Sequence, residues 1–328
     1  MFSRDALKLD PAETVQAITE AVRRIVKEDL KKKGAVVAMS GGVDSSVVAA
    51  LCAAALGPDS VLGLFLPERD SSPSSLERAS KLARELGIQT VKEDISPVLE
   101  ALGCYDRRDA AIRSVFPEYD RTWRQKIVLR PDFLEKDALN VFYLVLESSQ
   151  GERKQKRLPL KAYLEIVAAT NMKQRTRKHL EYYHADRLNY AVSGTPNRLE
   201  YDQGFFVKLG DGAADLKPIA HLYKSQVYQL ARFLGLPEEI CTAVPSTDTY
   251  SLEQTQEEFY FRLPYDKMDL ALYALNHGVP PEEASEPLGL TPEQVARLYR
   301  DIEQKRSTTR YLHLPPILVE EVPEIHRK

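Results

Sequence analysis

Residues 35–46 read AVVAMSGGVDSS, and this stretch decides the fold. Its first five residues form a continuous apolar run, which is typical of a strand buried on both faces of a parallel sheet. The glycines that follow predict a tight turn, and the pattern predicts a helix from about Asp44. A strand, a turn and a helix in succession form the first unit of an α/β fold.

The same alternation continues along the chain. Strand-like runs occur at 61–66, 90–95 and 188–194, with helical segments between them. A helix with one apolar face is predicted over residues 10–33, before the first strand. We therefore predict an α/β fold, a Rossmann-like parallel sheet of about five strands with helices on both faces. The part after Lys217 is predicted to be mostly helical.

The composition excludes several classes of protein. The 328 residues include 45 Lys+Arg and 48 Asp+Glu, a formal net charge of −3, and 43% are apolar. This balance is typical of a soluble globular protein and argues against nucleic acid or an anionic membrane as partner. The longest apolar run, Val47–Leu56, is far shorter than the roughly 20 residues that span a bilayer. Three separate cysteines disfavour a disulfide scaffold or a structural zinc, so we predict a cytoplasmic protein.

The glycine turn has the composition of an anion-binding loop. Gly41 and Gly42 let the backbone approach a ligand, and the amides from Val43 onward favour a negative charge. Asp44 supplies an oxygen ligand suited to Mg²⁺. Three hydroxyl groups add hydrogen-bond donors, those of Ser40, Ser45 and Ser46. The turn is neither a P-loop, because no lysine follows the glycines, nor a dinucleotide fingerprint, because the third glycine is absent. The alternative interpretation is a turn that only starts a helix.

The segment SGGVDSS (40–46) resembles the pyrophosphate-binding loop of the N-type ATP pyrophosphatases. That superfamily includes NAD synthetase, GMP synthetase, asparagine synthetase and tRNA thiolases. The resemblance implies an adenine nucleotide alpha hydrolase-like fold. It also implies cleavage of ATP between the α and β phosphates, with the pyrophosphate held in this loop.

Further segments resemble consecutive signatures of NAD synthetase. They are NMKQRTR (171–177), GTPNRLE (194–200), GFFVKLGDGAAD (204–215) and KPIAHLYKSQV (217–227), followed by VPSTDTY (244–250) and QTQEEFYFRLPYDKMD (254–269). The last two resemble a substrate-covering loop and the helix after it. This resemblance implies ATP-dependent synthesis of NAD, in which the nicotinate carboxylate of deamido-NAD is adenylated and then amidated by ammonia. AMP and pyrophosphate are released.

The resemblance also implies roles for single residues. Asp44 and Glu200 would bind Mg²⁺ between the ATP phosphates, which suits two carboxylates that would otherwise repel each other. The ATP contacts would be loop residues 40–46, Thr195, Lys224 and Ser246. The deamido-NAD contacts would be Arg175, Lys208, Asp215 and Lys305. Lys305 stands in the run Gln304-Lys305-Arg306, where the family has His-Lys-Arg. The catalytic residues would be Asp44, Lys224 and Lys208.

Residues 98–160 interrupt the α/β alternation, and the segment from Pro97 to Asn171 is longer than is typical of the family. We predict an insertion that carries a β-hairpin, within a single NAD synthetase-like domain over 1–328. Arginines cluster at 106–113 and 119–126. We interpret them as a solvated surface, with a part in shaping the dinucleotide site or a partner surface as the alternative.

The segment before the first predicted strand narrows the source of the nitrogen. Glutamine-dependent members of the family carry an N-terminal amidase domain with a catalytic cysteine. Only 34 residues, none of them Cys, precede the first predicted strand. We therefore expect an ammonia-dependent enzyme, or one fed by a separate glutaminase, and the resemblance implies a homodimer. Amidation of another carboxylate, a tRNA thiolase or lysidine-type activity and a non-catalytic nucleotide-binding module remain as alternatives.

Overall fold

The computed structural model describes residues 2–129, 141–243, 249–322 and 324. Its strands are β1 (Ala35–Ala38), β2 (Val61–Phe65), β3 (Gln89–Lys92), β4 (Arg124–Leu129), β5 (Phe142–Glu147), β6 (Arg153–Arg157) and β7 (Ala191–Ser193). Its α-helices are α1 (Pro11–Arg24), α2 (Val43–Leu56), α3 (Pro73–Leu86), α4 (Ser96–Ala101), α5 (Cys104–Arg113), α6 (Leu160–Leu188), α7 (Arg198–Gln203), α8 (Lys224–Phe233), α9 (Glu238–Cys241), α10 (Tyr265–Asn276), α11 (Pro281–Leu288) and α12 (Pro292–His313).

A parallel sheet in the order β3-β2-β1-β7 confirms the predicted α/β architecture. β1 is an inner strand, with Ala35 opposite Val61 on one side and Ala191 on the other. Within the described residues this sheet has four strands rather than about five. Beyond them, a single parallel bridge joins Ser193 to Leu216. The ladder stops there because Pro218 follows almost at once and has no backbone N–H to donate.

Helices cover both faces of this sheet. Ala35 and Val37 of β1 pack in an apolar cluster with α1, α2 and α8, whereas Val36 points to the opposite cluster, which includes Ala185 of α6. α2 is buried along most of its length because it lies between the sheet, α1 and α8. The site therefore rests on a helix that is fixed from several sides.

The described part of the chain after β7 contains helices and no strand, as predicted for the C-terminal part. α10, α11 and α12 share one apolar cluster, to which Leu7 and Leu199 also belong. Across the described residues, no helix combines the length and the apolar character that a membrane span requires.

Residues 98–160 contain most of α4, the whole of α5 and a second, antiparallel sheet in the order β4-β5-β6. β5 and β6 form a hairpin around residues 148–152, and β4 adds a third strand to it. Ile127 and Leu144 of this sheet pack against Ile166 of α6. β6 consists entirely of charged and polar residues, RKQKR, which an exposed edge strand can accommodate.

The solvated interpretation of the arginines is wrong for Arg108. Its side chain is buried, and it pairs with Asp70 at 2.7 Å and with Asp109 at 3.0 Å. A guanidinium can be buried where carboxylates accept its hydrogen bonds. The sequence gives no sign of this partner, because Asp70 is distant along the chain.

Gly41 fixes the turn between β1 and α2 against α3. Its backbone has a φ of +80°, and a Cβ atom at this position would lie 2.1 Å from the carbonyl oxygen of Ser75. Glycine is therefore required here both for backbone conformation and for close approach.

We predict that Gly41→Ala destabilises the protein more than Gly87→Ala does. Gly87 has a φ of +68° at the end of α3, but its added Cβ would be 3.9 Å from Pro58. A left-handed backbone costs a non-glycine residue about 1 kcal/mol or more, and only Gly41→Ala adds the clash with Ser75. Urea unfolding monitored by circular dichroism measures both variants. Equal losses of unfolding free energy would contradict the clash.

Candidate active site

The turn after β1 is shaped by its own hydroxyl groups. Ser45 and Ser46 donate to the carbonyl oxygen of Gly42 at 3.1 and 2.8 Å, and the amide of Ser40 donates to the hydroxyl of Ser45 at 3.2 Å. Gly42 precedes α2 and gives this helix no side-chain cap. The first amides of α2 are therefore not used by a cap at this end, which favours an anion there.

Asp44 lies in the first turn of α2, where two distant segments reach its carboxylate. The side-chain amide of Asn197 donates to Oδ1 at 3.0 Å, and the ammonium group of Lys224 forms an ion pair with Oδ2. The loop, the start of α7 and the start of α8 thus meet at one carboxylate. Asn197 was missed in the sequence analysis.

Glu200 is held on both oxygens. Oε2 accepts from the backbone amide of Asn197 at 3.2 Å as part of the capping box of α7, and Oε1 accepts from the side chain of Gln256 at 2.9 Å. Burial and the negative charge of Asp44 raise the pKa of Glu200 to about 7. The segment NRLE (197–200) has the sequence signature of a capping box, which could have identified Asn197.

Lys224 begins α8 and is almost completely buried. Burial lowers the pKa of Lys224, but the negative charges of Asp44 and Glu200 outweigh it, so the net pKa is raised and the side chain stays charged. The amides of Lys224 and Ser225 donate to the carboxylate of Asp269 at 3.2 and 2.7 Å. Asp269 therefore fixes the end of α8 from which Lys224 points to Asp44.

Asp44, Glu200 and Lys224 line a cavity of about 590 Å³. Its walls include most of the residues predicted to bind ATP or deamido-NAD, namely Ser40, Gly42, Val43, Asp44, Ser45, Arg175, Thr195, Glu200, Lys208 and Lys224. Gly41 and Ser46 belong to the same turn but do not line the cavity. The structure thus brings the predicted loop, the acidic pair and the two basic residues Arg175 and Lys208 to one space.

Arg175 and Lys208 are connected across the cavity wall. Arg175 donates to the carbonyl oxygen of Lys208 at 3.2 Å. The ammonium group of Lys208 donates to the carbonyl oxygens of Tyr311 at 2.8 Å and Leu314 at 3.3 Å, at the end of α12. Tyr311 also lines the cavity, and the sequence analysis did not identify it.

Two predicted contacts, Asp215 and Lys305, do not line the described cavity. The carboxylate of Asp215 accepts from the backbone amide of Val192 at 2.7 Å and braces β7. Lys305 is buried and pairs with Asp301 at 2.8 Å, so its ammonium group does not line the cavity. Ser246 lies outside the described residues. The substrate contacts assigned to these residues stay predictions.

The acidic pair fits a magnesium ion in its donor chemistry. Asp44 and Glu200 are hard oxygen donors in one cavity, and Mg²⁺ binds few carboxylates while it keeps water or phosphate oxygens as other ligands. Burial, and after it the negative charge of Asp44, raise the pKa of Glu200, and a dication between the two carboxylates would offset both effects. The described residues contain no cluster of three or more His, Cys, Asp or Glu that could hold a metal.

The fold and the site together define the class of α/β proteins in which the turn after the first strand is suited to an anion such as a phosphate. The sequence model of the NAD synthase family matches residues 14–115 and 138–311. The chain belongs to this family, and the predicted family is confirmed.

Curated relatives are similar in sequence to this chain over most of its length. It is 56% identical to the NH(3)-dependent NAD(+) synthetase of Rhizobium meliloti, over 99% of this chain and 97% of the relative. It is 36% identical to the enzyme of that name from Thermotoga maritima, over 87% of this chain and 94% of the relative. The solved NH3-dependent NAD synthetase from Campylobacter jejuni, in complex with the nitrate ion, has a TM-score of 0.61 at 22% identity and covers 95% of this chain and 100% of its own. That likeness shows the fold.

We predict that Asp269 makes folding stability depend on pH. Burial raises the pKa of Asp269 from 3.8 to about 7, against the hydrogen bonds from Ser225 and Lys224. The native state therefore holds a proton that the unfolded chain releases, so the free energy of unfolding falls as pH rises from about 4 to 7. Asp269→Asn cannot ionise and should lose about 1–3 kcal/mol less than wild type over this range.

Urea unfolding at pH 4.5 and 7.5 measures this difference. Asp266→Asn is the matched control, because Asp266 lies on the same helix and is exposed. It should keep the wild-type pH slope. Identical slopes for wild type and Asp269→Asn would show that Asp269 is ionised in the native state throughout.

Proposed function

We propose that this protein synthesises NAD from deamido-NAD, ATP and ammonia, with release of AMP and pyrophosphate. The observation that carries the proposal is the position of Asp44, Glu200 and Lys224 around one cavity at the anion-binding turn. The proposal is supported by 56% identity to a curated NH(3)-dependent NAD(+) synthetase over nearly its full length.

The first step forms a bond between a carboxylate oxygen of deamido-NAD and the α-phosphorus of ATP, and the bond from that phosphorus to pyrophosphate breaks. The amides at the start of α2 stabilise the negative charge of the leaving pyrophosphate. The charged Lys224 adds a positive charge next to the same turn. When bound by Asp44, Glu200 and phosphate oxygens, Mg²⁺ would supply further charge neutralisation.

The second step is attack of ammonia on the acyl carbon of the adenylate. AMP leaves with the former carboxylate oxygen, a proton is released from nitrogen, and the amide of NAD forms. A carboxylate without this activation would not release its oxygen to ammonia. The protein contributes position and charge, and the described cavity needs no covalent nucleophile for either step.

The basic residues Arg175 and Lys208, which line the cavity, would bind deamido-NAD. A guanidinium suits a phosphate group, so Arg175 would bind the dinucleotide's phosphates. Lys208 would contact the substrate after it exchanges its hydrogen bonds to the end of α12. Asp215 and Lys305 are carried over from the family resemblance and need a rearrangement to reach the ligand.

The assembly and the setting of the reaction follow the family resemblance. We propose a homodimer in the cytoplasm that uses free ammonia, or ammonia from a separate glutaminase. Size-exclusion chromatography with light scattering measures the oligomeric state, and a monomer at micromolar concentration would refute the homodimer.

We predict that Asp44→Asn lowers kcat at least about 100-fold, because it removes the charge that pairs with Lys224 and would hold the metal. The assay contains ATP, Mg²⁺, deamido-NAD and ammonium, and chromatography quantifies AMP and NAD. Asp59→Asn is the matched control. Asp59 is exposed just beyond the other end of α2 and should leave kcat unchanged.

Two outcomes would contradict the proposed function. One is a wild-type protein that forms no AMP with deamido-NAD, and the other is wild-type turnover by Asp44→Asn. Replacing ammonium with glutamine in the same assay tests the nitrogen donor, and we expect no NAD from glutamine alone.

A further inference from the structure

The second sheet contains a stretch that the family match leaves out. The match covers residues 14–115 and 138–311, and β4 (Arg124–Leu129) lies in the gap between them. One edge of β4 pairs with β5. The other edge faces residues 249–258, which we call the covering segment because its Tyr250 and Gln256 line the cavity.

Alternate residues of β4 bind the covering segment. The amide of Gln125 donates to the hydroxyl of Ser251 at 2.9 Å, and the amide of Leu252 donates to the carbonyl oxygen of Gln125 at 3.1 Å. The carbonyl oxygen of Ile127 accepts from the side chain of Gln254. Since alternate residues of a strand direct their backbone groups to opposite edges, Gln125 and Ile127 serve the covering segment.

Lys126 holds the covering segment on both sides of Gln256. Its ammonium group, which is largely buried, donates to the carbonyl oxygen of Glu253 at 3.1 Å and pairs with the carboxylate of Glu258 at 2.7 Å. At the start of the covering segment, Lys173 of α6 donates to the carbonyl oxygen of Thr249 at 2.8 Å. The backbone around Gln256 is thus tied down by side chains from β4 and α6.

Gln256 connects the covering segment to Glu200 of the acidic pair. Its side-chain amide donates to Oε1 of Glu200 at 2.9 Å. One N–H group uses one lone pair of that oxygen, so another remains for a metal. The amide is neutral, so it orients Glu200 without adding a charge beside Asp44.

We propose that Gln256 is a positioning residue that orients Glu200 to bind Mg²⁺, and that β4 supports it. This inference rests on the proposed function, because it assigns a metal to Glu200. Partners that orient metal ligands commonly contribute 10–100-fold to metal affinity. β4, which the family match leaves out, thereby acts on the metal site without contacting it.

The test uses the full-length protein and two readouts. Isothermal titration calorimetry follows Mn²⁺ binding in the presence of α,β-methylene-ATP, whose α–β linkage cannot be cleaved. The second readout is the Mg²⁺ concentration that gives half-maximal NAD formation. We expect Gln256→Leu to weaken Mn²⁺ binding about tenfold and to raise the Mg²⁺ requirement equally, with kcat at saturating Mg²⁺ changed less than about threefold. Gln256→Asn should restore part of the affinity.

Lys126→Met tests the support from β4 separately. It removes both contacts of the ammonium group but keeps the length of the side chain, and it should weaken Mn²⁺ binding in the same direction. Gln150→Leu and Lys161→Met are the controls, since both residues are exposed in the same region. They should keep wild-type affinity and activity.

The results distinguish a failure of the role proposed for Gln256 from a failure of the proposed reaction. Wild-type Mn²⁺ affinity in Gln256→Leu would overturn the inference, and so would a loss of kcat with an unchanged Mg²⁺ requirement. If wild type binds Mn²⁺ with the ATP analogue but makes no NAD, the proposed reaction fails and the calorimetry still decides the role of Gln256. If only Gln256→Leu unfolds, the result for Lys126→Met decides the inference.

Discussion

The buried ion pair between Lys224 and Asp44 is the contact on which the rest of the structure depends. Lys224 is almost fully buried, and a buried ammonium group without a partner would cost several kcal/mol. Packing of α8 on α2 therefore requires the carboxylate of Asp44. That carboxylate lies in the first turn of α2. The ion pair that joins α8 to α2 therefore also places two charges beside the glycine turn.

The N-terminal ends of α2 and α8 differ in how their backbone amides are satisfied. At α8 the carboxylate of Asp269 accepts from the amides of Lys224 and Ser225, so that helix end is already satisfied inside the protein. At α2 the residue in the capping position is Gly42, which has no side chain to offer. One helix end is thus used for packing, and the other remains suited to an external anion.

Local sequence patterns predicted the glycine turn and the elements on either side of it. They did not predict which partner each polar side chain binds. β1, the turn and α2 follow from an apolar run, two glycines and an aspartate within twelve residues. Lys305 was assigned from its place in a motif, but Asp301 lies one helical turn before it and binds it inside the protein. Gln256 lies in the segment 254–269 that resembles a family signature, but the sequence did not predict its contact with Glu200, because its position depends on the distant strand β4.

The segments on both sides of the cavity share one buried cation. Lys173 is fully buried and donates to Glu68 and Asp70, each at 2.7 Å, as well as to Thr249 of the covering segment. An ammonium group has three hydrogens, so these partners satisfy it completely. Arg108 of α5 pairs with the same Asp70. Residues 98–160 therefore support the cavity from two directions, through Arg108 at the loop after β2 and through β4 at the covering segment.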